Sequence, residues 1–101
     1  MVSHPLSGEY PLILIEWVDS SRVGQGWVDL NAIGDPDPHK CVSVGFLLKE
    51  NAVGKILVPT IADVGHPDNR HSHGGIMIPS CSIISERRLE YADLATVSSA
   101  P

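Results

Sequence analysis

Within eight positions the chain places His66, Asp68, His71 and His73, with Asp63 just upstream. Imidazole and carboxylate form a donor set that zinc, nickel or iron accepts. In an extended segment His71 and His73 project to the same side. A closed metal site also needs a fourth ligand and a rigid frame, and no fourth ligand stands at a matching spacing. His66, Asp68, His71 and His73 are therefore the only metal candidates, in what reads first as a His-rich polar surface loop. No metal or other cofactor is assigned. Arg70 stands inside the same segment, beside Asn69 and ahead of Gly74-Gly75. A guanidinium fork with backbone N–H groups freed by glycine can hold a phosphate or carboxylate; otherwise Arg70 is a solvated loop arginine. Trp17 and Trp27 offer flat faces for core packing or for stacking on a ligand ring. Arg22, in the glycine-bearing turn Arg22-Val23-Gly24-Gln25-Gly26, adds a second cation. The expected ligand set is thus Arg70, His71, His73, His66, Trp17, Trp27 and Arg22.

Catalytic patterns are missing from the chain. There is no Gly-x-Ser-x-Gly elbow, and Cys81 has no histidine close in sequence. Gly24-Gln25-Gly26 lacks the third glycine and the following helix of a phosphate-binding loop. Asp35 and Asp37 fall in a Pro-rich loop, where carboxylates are solvated. The expectation is a protein that is not an enzyme.

These groups must be positioned by a chain of 101 residues with a formal net charge of −5. That length supports one core, expected over residues 11–90, between a loose leader (1–10) and a C-terminal tail (91–101). The acidic balance, with Arg87-Arg88 as the only adjacent basic pair, argues against nucleic-acid binding and leaves room for a basic protein partner. Cys41 and Cys81 read as reduced thiols, a single disulfide being the alternative. The first ten residues lack a signal-peptide pattern, and no apolar run approaches the ~20 residues that cross a bilayer. A cytoplasmic protein that meets no membrane is expected.

The scaffold is read from period-2 patterning. Val42, Val44, Phe46 and Leu48 alternate with Ser43, Gly45 and Lys49, which predicts a strand whose valine face is buried. A turn holding Asn51 and Gly54 leads into Ile56-Leu57-Val58, forming a hairpin. Leu12 to Asp19 is a further strand. Trp27 to Leu30 is a short strand or a wide loop that covers the core. Asp63 to Gly75 is the longest polar connection, of a length that is usually functional or mobile. Ile76 to Ile78 begins a strand that Pro79 interrupts and Ser82 to Ser85 resumes. Strand is expected through about Arg88, with a helical turn beyond it and disorder over residues 96–101. The prediction is an all-β fold, a small five-stranded antiparallel barrel, whose edges close on each other or pair with another subunit. A homo-oligomer is the expectation.

The hairpin and the final Ile78-Pro79-x-x-x-Ile83-Ile84 element resemble, in their order, SH3-like and Sm-like barrels over residues 12–89. Glu16-Trp17-Val18-Asp19-Ser20, Gly26-Trp27, Val42-Ser43-Val44-Gly45 and Ile78-Pro79 are similar to small phage-encoded proteins. That resemblance implies a phage or prophage origin and residence in the host cytoplasm. The leading expectation is a non-enzymatic phage-type binding protein that sequesters a small anionic, nucleotide-derived ligand between loops 62–75 and 20–40 to counter host defence. One alternative is an inhibitor whose acidic surface meets a host nucleic-acid-binding protein. Others are a virion or assembly component and an Sm-like RNA binder.

Overall fold

A computed structural model describes residue 6 and residues 8–90. The C-terminal tail and the helical turn expected beyond position 90 lie outside the described residues. Five strands form in chain order: β1 (Leu12–Asp19), β2 (His39–Glu50), β3 (Gly54–Val58), β4 (Ile76–Pro79) and β5 (Ile83–Leu89). The fold is all-β. The other regular elements are short 3-10 turns at Leu30–Ala32, Pro67–Asn69 and Ser80–Ser82. Every pairing is antiparallel, and the sheet order β4-β3-β2-β1-β5 leaves β4 and β5 as the two edges.

The local chemistry behaves as the patterning predicts at the hairpin and at the prolines. Asn51 Oδ1 accepts from the N–H groups of Val53 (2.8 Å) and Gly54 (3.2 Å), closing the β2–β3 turn with its own side chain. Pro59 follows the last residue of β3. Pro79 ends β4 opposite Gly54 on an edge strand, where its missing donor costs least. Ser80 then donates to Val53 O at 2.8 Å and starts the turn into β5.

Facing residues of an antiparallel pair share a side of the sheet, so the register assigns the two faces. On the concave face lie Ile13 and Ile15 of β1, with Gly45 and Ser43 opposite them, then Leu47, Leu57 and Ile78. Ile13, Ile15, Leu57 and Ile78 form the buried core, flanked by Trp17, Leu47 and Ile83. Each full burial of this kind contributes roughly 1.5–3 kcal/mol.

The buried face of β2 is therefore the opposite of the one expected. Val42 and Val44 stand on the convex face, 64% and 52% exposed, and Leu48 is exposed as the extra residue of a bulge against β3. At Gly45 the concave side leaves little room for a side chain. A Cβ on Gly45 would lie 3.0 Å from Val58 O and 3.3 Å from Leu57 Cβ. The bulge at Leu48, and a second where Ile84 is extra against β1, are the usual means of adding local bend and twist.

In the segment expected as a loose leader, Leu6 is 4% exposed and Glu9 N donates to Leu6 O at 3.1 Å, while Gly8 and Glu9 are exposed. Cys41 and Cys81 are free thiols. Among the described residues no helix is long and apolar enough to cross a membrane.

Candidate functional site

Two loops carry most of the residues singled out in the sequence. The β3–β4 loop (59–75) is pinned at its neck by a bridge between Ala62 and His71, with N···O distances of 2.7 and 3.4 Å. Asp63 turns the chain in the left-handed region at φ 57°, a conformation that Asp tolerates better than most residues. His66 N donates to Asp63 O at 2.9 Å, and Asn69 N donates to His66 O at 2.8 Å.

Arg70 then folds under this loop. Its Nε and Nη2 donate to Val64 O at 3.1 and 2.8 Å, and Nη1 and Nη2 grip the Glu9 carboxylate in a two-pronged pair. The Tyr10 ring centroid lies 6.0 Å from the guanidinium carbon. The hydrogen bond from Arg70 holds the Glu9 carboxyl below its ordinary range. Arg70 thus ties the loop to the N-terminal segment, over the convex side of β3. The small cavity there, about 110 Å³, is lined by Tyr10, Leu48, Val58, Ile61, Arg70, His71 and Ser72.

His71 Nδ1 lies 3.0 Å from Asn69 O and 3.4 Å from Asp63 Oδ2. His66 and His73 are exposed and join neither contact. Among the described residues no group of three His, Cys, Asp or Glu side chains is arranged to hold a metal ion. Arg70 and His71 come together beside Tyr10; His66, His73 and Asp68 do not gather with them.

The β1–β2 loop is of another kind. Every residue from Ser20 to Pro38 is exposed. Asp29 caps the turn Leu30–Ala32 by accepting from Asn31 N at 3.0 Å, and this is a wide loop with no strand. Its apolar side chains do not cover the core. Trp27 is fully exposed, Leu30 is 80% and Val23 67% exposed. The two limbs of this arm enclose an open cleft of about 780 Å³, with Val18, Val23, Val28 and Ile33 on its walls and Asp19, Asp35 and Asp37 beside them. Arg22 is exposed and, among the described residues, has no ion-pair partner.

Trp17 serves the core: it packs beside the buried cluster, and its Nε1 donates to Ser43 Oγ at 3.0 Å. Trp17, Trp27 and Arg22 do not line the cavity beside Arg70 and His71, and each loop lines its own cavity. What sequence reasoning missed is the arm as a unit. Its signal was present: Val23, Trp27, Val28, Leu30 and Ile33 recur without any helical or strand period in a Gly/Pro/Asp-rich stretch. Compared with known protein families, curated proteins and solved structures, the chain matches none.

Proposed function

We propose that this chain is a non-enzymatic interaction protein that grips another protein with its β1–β2 arm. The observation that carries this reading is the solvation of Trp27, Leu30 and Val23 together on one nineteen-residue excursion. Monomers seldom leave large apolar groups gathered in the open, and tryptophan is the residue most enriched among binding anchors. A loop of that length is usually functional. With a net charge of −5, the partner surface is apolar and neutral to basic.

Capture of a small anion at Arg70 has less support. Its fork is already filled by Glu9 and Val64 O, so an incoming phosphate would have to displace a bonded carboxylate.

The test is a photo-reactive residue at position 27. A stoichiometric crosslink that disappears when Val23 and Leu30 become serine supports the reading. Unaltered biological activity after replacing residues 21–37 with a short Gly/Ser link, in a chain that still folds, would sink it.

A further inference from the structure

We infer that the partner gripped by the arm is a second copy of this chain, each arm lying across the open convex strip of the other's sheet. This rests on the arm being an interaction device, and goes further by naming what it holds.

The convex face is divided in two. At one end Val58 lines the small cavity beside Arg70 and Tyr10 and is only 6% exposed, and Phe46 and Leu12, next to it in the register, are half-buried. At the other end Val42 and Val44 stay open, with half-buried Leu14 facing Val44. One chain thus carries an uncovered apolar strip and an apolar arm, and its own arm, exposed along its whole length, does not cover the strip.

The charges match in sign. The arm holds three aspartates (Asp29, Asp35, Asp37) against one arginine, Arg22. Register puts Lys40 and Arg87 beside the strip on the same face, against one acid, Glu16. None of these side chains has an ion-pair partner among the described residues. Opposed patches of this sort orient an encounter and fix its register.

Size and reach agree as well. Trp27 alone offers about 200 Å². With Val23, Leu30, Val28 and Ile33, and the backbone between them, the arm approaches the ~800 Å² per partner of a stable interface. Reciprocal docking about a twofold axis makes the junction twice. The roots of the arm, Asp19 and His39, face each other at the end of the β1–β2 ladder. Val42 lies three residues further along β2, about 10 Å away. An axis beside the roots therefore brings each arm over the neighbouring strip.

Sedimentation equilibrium of the full chain tests this, with Trp27→Ser or Leu30→Ser in the arm and Val44→Asp or Val44→Thr in the strip. All three positions face solvent, so circular dichroism should show the fold retained. The expected result is a dimer that Trp27→Ser weakens by about 30-fold or more, the loss typical of a buried aromatic anchor. Mixing the Trp27→Ser chain with the Val44→Asp chain should restore association, because one intact arm then meets one intact strip. A chain that is monomeric at every concentration overturns the inference, and so does a dimer indifferent to both kinds of variant. If the chain is monomeric while position 27 still crosslinks a different protein, the arm keeps its binding role and only the choice of partner fails.

Discussion

Lys55 Nζ lies 3.0 Å from Glu86 Oε2, although β3 and β5 are separated in the sheet by both β2 and β1. Only a sheet curled on itself brings the two together. The register puts both side chains on the concave face, where Glu50 also reaches Lys55 at 3.2 Å. The Lys55 side chain is largely buried, at 18% exposure. The ammonium thus holds the curl together from inside, while Glu86 gives edge strand β5 an inward-pointing charge of the kind that discourages edge-to-edge pairing.

Lys55→Met should cost about 1 kcal/mol in urea unfolding, since half-exposed carboxylates recover much of their hydration. The hydrogen bond that Lys55 donates to Glu86 raises the Lys55 pKa above the ordinary lysine range. Its stabilisation is therefore complete below that range and lost as pH climbs through the raised value. The gap between wild type and Lys55→Met should close as the solution becomes alkaline. A gap that persists there would mean that packing, and not the ion pair, holds the curl.

The Glu9–Arg70 pair gives the opposite limb. The Glu9 carboxyl is held below its usual range by the Arg70 hydrogen bond, so its contribution is present above that range and fades as pH falls through the lowered value. Thermal unfolding of Glu9→Gln should accordingly show a shallower acid limb than wild type. Parallel acid limbs would rule out this pair as a source of acid sensitivity.

Gly54→Ala should destabilise by about 2 kcal/mol, because its Cβ would stand 2.6 Å from Ile78 O and 3.0 Å from Met77 Sδ. Gly34 has open space around it, and Gly34→Ala should change stability by less than about 0.5 kcal/mol. Equal effects at the two sites would contradict the close β3–β4 approach.

The two tryptophans should separate cleanly. Trp17→Ala removes core packing and the bond to Ser43, and should cost about 2–3 kcal/mol. In the free monomer Trp27→Ala should leave the unfolding midpoint within experimental error, since nothing packs on that ring. A large loss from Trp27→Ala in the monomer would show that the arm folds back on its own sheet.

What the sequence determined by itself was local. Strand positions, the Asn51 turn and the ends at Pro59 and Pro79 follow from period-2 alternation and from residues that restrict their own backbone, and all are present in the fold. The side of β2 that is buried was a different matter: alternation pointed to the valine face, and the folded sheet leaves Val42 and Val44 exposed. Curl made the choice, turning inward Gly45, where a side chain would meet Val58 O and Leu57, together with Ser43 on the same face. The partner of Arg70 was equally out of reach, because Glu9 lies sixty-one residues away in the chain and no spacing rule extends so far. Tertiary structure also separated the two polar loops: it stapled the histidine-bearing one to the domain and left the tryptophan-bearing one in solvent. That division depends on which distant groups meet, and only the folded chain brings them together.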